Sequence, residues 1–209
     1  HKMTVTQIAF SRSDRFIATV SRDTRLCVWI RKGTSYDLLW EQEKVHSRII
    51  WDCCWAPDDG LLVTCSRDKK ICAWSVSDAG VDLVTTIKRS SPITCVAFHP
   101  KIEKSGYTLA VGNESGSVSL WSISAGKWVL LTELPRIHGA SVTRMSFKVV
   151  PHSGSTMLLS ASDDFLVRLT RVVVTDAFSQ LVTLIMCVQA KHSIRIPVLA
   201  SKVIMKYLK

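Results

Sequence analysis

Hydrophobic and polar residues alternate in short runs along most of the chain, and the runs recur. The runs VTQIAF, IIWDCCW, ITCVAF and VTRMSF end on the aromatic residues Phe10, Trp55, Phe98 and Phe147, which are 45, 43 and 49 residues apart. Alternation with a period of two predicts half-buried β-strands. Recurrence at intervals of this length predicts a repeat architecture in which each unit packs on its neighbours.

A second set of runs has the same interval. LCVW, ICAW and VSLW end on Trp29, Trp74 and Trp121, and the fourth equivalent is Thr170 in LVRLT. Within one unit, turn sequences such as PDDG at 57–60 and SDAG at 77–80 separate four such runs. A unit of about 45 residues with four strands is typical of a WD40-type β-propeller blade.

The fold class predicted is therefore all-β. We expect residues 1–171 to form four consecutive four-stranded blades, at about 1–45, 46–88, 89–137 and 138–171. Since WD propellers normally close a ring of seven blades, the sequence predicts an incomplete ring that lacks at least three.

Polar residues recur at fixed offsets within these units. An Asp stands six residues before the Trp position, a Ser two residues before that Asp, and a His nine residues before the aromatic residue. We expect a hydrogen-bond network from turn to loop to Trp in each blade. The residues assigned to it are His1, Ser21, Asp23, Trp29, His46, Ser66, Asp68, Trp74, Trp121, His138, Ser162 and Asp164.

The same residue types form catalytic triads, but a triad needs one converging site. Three copies at the repeat interval favour the structural role. The third unit has Arg89 at the His offset and Ser115 at the Asp offset, so its network is expected to be incomplete.

The pattern contains no sign of catalysis. None of the seven cysteines has CxxC spacing, and we expect free thiols in a reducing compartment and no metal site. Ser66 to Lys69 matches S-x-x-K, but in a turn. No phosphate loop or nucleophile elbow occurs. The chain is predicted not to be an enzyme and to need no cofactor.

The net charge is +10. In the first two blades, the turns between second and third strands carry Arg22, Arg25, Arg67, Lys69 and Lys70. These cations are either ordinary solvated turn charges or a docking patch for an acidic protein or a phosphate backbone.

The repeat fails after residue 171. One candidate for the last strand of the fourth blade is residues 172–175. The apolar segment 178–190 is too short to cross a bilayer, so no membrane association is expected. Residues 172–209 are otherwise a tail of unassigned structure, and its segment from Lys191 is expected to form an edge strand, a short helix, or a non-native extension.

The stretch HSRIIWDCCWAPD at 46–58, followed by SRDKK at 66–70, resembles the WD-repeat subunit family of the Elongator complex. VTQIAFS at 5–11 and LAVG at 109–112 are similar to that family too. The resemblance covers residues 1–171 and implies the end of the family's second seven-bladed propeller. It does not extend to the tail.

The resemblance implies a non-catalytic scaffold in the cytoplasm and nucleus. Its partners would be the large scaffold subunit and the catalytic radical-SAM and acetyltransferase subunit, which modifies tRNA wobble uridines and holds the cofactors for that reaction. Contact with tRNA through the basic turns is compatible with this role. The alternative is a WD40 adaptor of another multiprotein complex, of the ubiquitin-ligase or chromatin type.

Overall fold

The computed structural model describes residues 1–102, 106–124, 126–134, 136–150 and 156–172, together with the backbone of one further strand at 184–189. Sixteen strands are found within these ranges, arranged as four antiparallel sheets of four strands. The all-β prediction and the prediction of four successive blades are confirmed.

Each blade is a meander in which sequence neighbours pair. The first consists of β1 (Val5–Phe10), β2 (Phe16–Ser21), β3 (Leu26–Lys32) and β4 (Ser35–Gln42). The second consists of β5 (Ile50–Trp55), β6 (Leu62–Ser66), β7 (Lys70–Ser77) and β8 (Gly80–Lys88). The third consists of β9 (Ile93–Phe98), β10 (Tyr107–Asn113), β11 (Val118–Ser124) and β12 (Lys127–Leu134). The three tryptophans of the repeat lie in the third strands, as expected.

The fourth blade extends further along the chain than the sequence pattern predicts. It consists of β13 (Val142–Val149), β14 (Thr156–Ser162), β15 (Leu166–Val172) and β16 (Leu184–Gln189). Strand β16 pairs antiparallel with β15, from Leu166 opposite Gln189 to Arg171 opposite Leu184. The candidate strand at 172–175 is therefore wrong, because Val172 is the last residue of β15. Residues 173–183 and 190–209 of the tail lie outside the described residues.

The hydrophobic core is divided into three clusters, and each cluster lies between two neighbouring blades. Leu26 and Val28 of the first blade pack with Leu62 and Trp74 of the second. Strand β6 is buried along its whole length, since alternate residues face the blades on either side. Burial of both faces explains why LLVTC, apart from Thr64, is an apolar run without exposed polar positions.

Neighbouring blades also determine how much of each repeat position is exposed. The indole of Trp55 stacks on Phe16 of the first blade with 5.9 Å between ring centroids, and Trp55 is 8% exposed. Phe10 occupies the same repeat position in the first blade and is 58% exposed. Burial at this position therefore comes from contact between blades.

Gly116 is required where the third and fourth blades meet. It has φ of +81°, and a β-carbon at this position would lie 2.1 Å from the carbonyl oxygen of His138. Gly33 also has positive φ, at +62°, but its β-carbon would meet nothing within 4 Å.

We expect Gly116→Ala to lower the free energy of unfolding by about 1–3 kcal/mol more than Gly33→Ala does, because only the first forces backbone apart. Urea unfolding of both variants measures the difference. Equal losses would show that the close approach to His138 contributes nothing beyond the backbone angle.

Candidate functional site

Asp68 joins a tight turn to the loop that enters the second blade. Its carboxylate lies 3.1 Å from Nδ1 of His46 and accepts hydrogen bonds from the backbone N–H of Ser47 at 3.0 Å and of Lys70 at 2.9 Å. His46 is 2% exposed. The carboxylate thus satisfies buried donors from both sides of the turn, and this fixes the loop over the blade.

A threonine connects this pair to the tryptophan. The hydroxyl of Thr64 lies 2.9 Å from Nε2 of His46 and accepts a hydrogen bond from Nε1 of Trp74 at 3.1 Å. The sequence analysis missed Thr64, although a signal was present. A hydroxyl residue stands four positions before Asp in three of the blades, as Thr19, Thr64 and Ser160.

The serines of the repeat have a different role from the one expected. Ser66 Oγ accepts the backbone N–H of Asp68 at 3.1 Å and donates to the carbonyl of Arg48 at 3.1 Å. Ser21 and Ser162 make the equivalent bonds to Met3 and Ala140. These residues hold the turn against the incoming loop and do not lie on the path from Asp to Trp.

The first blade repeats the network in full. His1 lies 3.2 Å from Asp23 through Nδ1 and 2.9 Å from Thr19 through Nε2, and Trp29 donates to the same Thr19 hydroxyl at 3.2 Å.

The fourth blade keeps only part of it. His138 contacts Asp164 at 3.0 Å and Ser160 at 2.8 Å. Thr170 replaces the tryptophan, and its buried hydroxyl has no hydrogen-bond partner in the described part of the chain.

The third blade holds its turn by other means. Asn113 Oδ1 accepts the backbone N–H groups of Ser115 and Ser117, both at 3.0 Å, and so replaces the missing Asp. Trp121 Nε1 donates to Ser119 at 2.9 Å. The Arg89 guanidinium lies 5.1 Å from the centroid of the Trp121 ring. The three blades with His and Asp, and the third without them, therefore reach similar turn geometry through different residues.

The His–Asp pair of the second blade shifts the titration of both partners. Burial disfavours the charged imidazole, but the hydrogen bond to Asp68, with contributions from Cys72, raises the pKa of His46 to about 9. Desolvation acts to raise the pKa of Asp68, but His46 and the backbone N–H groups of Ser47 and Lys70 outweigh it and lower that pKa to about 2.

A second polar cluster lies on the inner strands and was also missed. The inner strand of each blade is its first strand, and each of these strands contains a β-bulge. The residue after the bulge stands three positions before the aromatic residue of the repeat. These positions are Gln7, Asp52, Cys95 and Arg144.

Asp52 is the shared acceptor of this inner cluster. It is 4% exposed and accepts hydrogen bonds from Gln7 Nε2 at 2.7 Å and the backbone N–H of Val96 at 3.1 Å, and it pairs with Arg144 at 3.4 Å. One carboxylate thus joins four blades. Its burial raises its pKa, against the effect of these three donors.

The basic turns are less free than the sequence suggests. Arg22, Arg67 and Lys69 lie in the turns β2–β3 and β6–β7. The guanidinium of Arg25 pairs with Glu41 and Glu43, and Arg67 lies 3.6 Å from Glu114. Among the described residues, no carboxylate pairs with the three remaining cations, which are Arg22, Lys69 and Lys70.

The cysteines and the possible metal ligands are the remaining reactive groups of the described residues. The described cysteines are free thiols, and desolvation raises the pKa of Cys53, Cys54 and Cys65 well above the ordinary value. In the described ranges, no three His, Cys, Asp or Glu side chains are placed to hold a metal ion. No described helix has the length and hydropathy to cross a membrane.

In three of the blades, a hydrogen-bonded His–Asp pair, here called the His–Asp clamp, holds the entering loop to the turn. Four-stranded blades in succession with this clamp define a WD-repeat β-propeller. The family model for the WD domain, G-beta repeat, matches residues 1–29 and 41–75, which are the blades with the full network. Sqt1 from Saccharomyces cerevisiae has the same fold, with a TM-score of 0.67 at 17% identity over 82% of this chain and 45% of that one. Sqt1 from Chaetomium thermophilum, bound to the N-terminus of the ribosomal protein L10, gives 0.71 at 20% identity over 81% and 46%.

The chain belongs to the family of Elongator complex protein 2. It is 30% identical to that protein from Saccharomyces cerevisiae over 81% of the chain. It is 34% identical to those from Drosophila melanogaster and Schizosaccharomyces pombe, over 80% and 82%. The matches span 23–24% of these relatives, about a quarter of their length. This coverage is consistent with the end of the second propeller.

Replacing the Thr64 hydroxyl by a methyl group tests its role between His46 and Trp74. Thr64→Val keeps the shape of the side chain but leaves the Trp74 N–H without an acceptor, and should cost about 1–3 kcal/mol of unfolding free energy. Chemical denaturation checks this, with Thr85→Val on β8 of the same blade as control. Equal costs for both variants would remove Thr64 from the network.

The pH dependence of stability tests the His–Asp clamp. The unfolded pKa values are about 6.5 for His and 3.9 for Asp, so the raised pKa of His46 stabilises the fold fully below about pH 6.5. This contribution is lost as the pH rises through about 9. The lowered pKa of Asp68 stabilises above about pH 4 and is lost as the pH falls towards about 2.

We expect the unfolding free energy to fall between pH 6 and pH 9.5 by an amount on the order of 1–3 kcal/mol that His46→Gln abolishes. Urea titrations of both proteins at the two pH values measure this. If the variant loses as much stability with pH as the parent, other groups cause the dependence.

Proposed function

We propose that this chain is a non-catalytic WD-repeat scaffold of the Elongator complex, which supports assembly for tRNA wobble-uridine modification. The observation that carries the proposal is the identity of 30–34% to Elongator complex protein 2 from three organisms. The His, Ser and Asp residues that resemble catalytic groups are engaged in holding turns and loops. This use leaves protein binding as the role that the propeller supports best.

The partners proposed are the large scaffold subunit and the catalytic subunit of Elongator, with the cytoplasm and nucleus as the sites of action. Arg22, Lys69 and Lys70 supply a basic area at the β2–β3 and β6–β7 turns. This area suits either carboxylates of a partner subunit or phosphates of tRNA.

The second candidate is a WD40 adaptor of another complex. The fold similarity to Sqt1 favours it, because one Sqt1 structure is bound to the N-terminus of the ribosomal protein L10. Propellers of this fold therefore serve complexes other than Elongator. Association with purified Elongator subunits separates the two candidates.

The test is the pair Lys69→Glu and Lys70→Glu in the full-length subunit. The matched control is Lys32→Glu with Lys127→Glu, which makes the same charge change beside the β3–β4 and β11–β12 turns at the opposite ends of the strands. We expect the first pair, but not the control, to weaken capture of the two partner subunits.

Affinity for tRNA at several salt concentrations separates the two uses of the basic area. If these lysines contact phosphates, each lost contact lowers the slope of log affinity against log salt by about 0.7–0.9. Lost subunit capture with tRNA affinity intact assigns the area to protein. Wild-type levels of both would show that the lysines are only solvated charge.

A further inference from the structure

Phe165 occupies the tip of the β14–β15 turn in a conformation that costs the fold free energy. Its backbone has φ of +64°, in the left-handed region that bulky side chains seldom adopt. Its side chain is 84% exposed, the largest exposure of the big apolar residues described. The turn itself is closed by the backbone, since Phe165 N–H donates to the carbonyl of Ser162 at 3.1 Å. Since the turn closes without the ring, the ring makes no contribution to it and lies largely in solvent among the described residues.

The same turn position in the other blades shows what the fold alone requires. Thr24, Lys69 and Gly116 stand one residue after the Asp offset, as Phe165 does, and have φ of +64°, +71° and +81°. All four turns adopt the left-handed conformation at this position, and polar residues or glycine serve in three of them. An aromatic ring is thus not needed to form the turn.

An exposed aromatic residue kept in a strained turn is explained best by what it contacts outside the chain. Because the turn has this backbone conformation in all four blades, it is the exposed ring, not the backbone angle, that points to a contact outside the chain. Aromatic side chains supply much of the binding energy of protein interfaces, where they enter pockets on the partner. The turn lies at the same strand ends as the turns that carry the unpaired Arg22 and Lys69, so all three face one side of the propeller.

The charge beside Phe165 distinguishes between classes of partner. Asp163, two residues before Phe165 in the same turn, is exposed, and its carboxylate would repel a phosphate backbone that brought a base to stack on the ring. An apolar pocket in a protein surface carries no such conflict. The basic turns of the first two blades then suit carboxylates elsewhere on that protein.

We propose that the β14–β15 turn is an anchor for a protein partner, with Phe165 entering an apolar pocket on a surface that places carboxylates opposite Arg22 and Lys69. The inference rests on the proposed function, in that the chain acts by binding proteins. It adds a specific contact in the fourth blade, away from the basic turns.

The decisive variant is Phe165→Asn, because Asn adopts the left-handed conformation more readily than Phe. The full-length subunit is tested against the purified complex of the large scaffold and catalytic Elongator subunits, with affinity measured by biolayer interferometry. We expect Phe165→Asn to raise Kd by about tenfold or more, with Tm unchanged or higher. Thr24→Asn changes the same turn position in the first blade, and should leave Kd unchanged. Phe165→Trp should retain binding.

Four outcomes would overturn the anchor. Absence of binding by the wild-type subunit would reject the proposed function itself, and the anchor with it. Wild-type binding that Phe165→Asn leaves unchanged would reject the anchor alone. A lower Tm for Phe165→Asn would show that the ring packs on its own chain. Loss of tRNA affinity with subunit binding intact would assign the turn to RNA.

Discussion

Burial between neighbouring blades is the constraint on which the rest of this structure depends. A four-stranded sheet has two apolar faces, and here each core cluster is shared by two sheets, as with Val28 and Trp74. The inner strands are consequently held side by side, and their bulges fall at the same level. Turns such as those at Asp68 and Asp164 then project on one side. Interblade packing thereby converts a repeat in sequence into a continuous surface.

Much of the fold could be predicted from residues whose type is kept between blades. The Trp positions and the His and Asp offsets identified the blades, because in three of the four blades these side chains supply the interblade burial or the turn hydrogen bonds. Thr64 was overlooked since Thr and Ser are common in strands and only comparison of the offsets reveals them. The last strand of the fourth blade was misplaced because no Asp or Trp marks β16 and eleven residues, 173–183, separate it from β15.

The third blade shows why the candidate site is harder to predict than the fold. Asn113 stands where the other blades have Ser, yet its amide oxygen accepts both the turn N–H that Ser accepts elsewhere and the one that Asp accepts elsewhere. Arg89 replaces His but packs its guanidinium on the Trp121 ring and pairs with Glu133. The sequence shows the loss of the usual residues, whereas the replacement is visible only in three dimensions. Asp52 was hidden for a related reason, because its repeat position holds a different residue type in each blade.

The inner carboxylate bears on how this propeller changes over evolutionary time. Since Asp52 accepts from Gln7, Val96 and Arg144 together, an apolar residue there would leave donors on three other blades without their acceptor at once. Replacing Arg144 first would leave a buried anion with less compensation. The two positions are therefore epistatic, and descendants of this sequence are expected to keep or exchange them jointly. Tandem repeats usually diverge blade by blade, but here residues of four blades are constrained together because they share the Asp52 carboxylate.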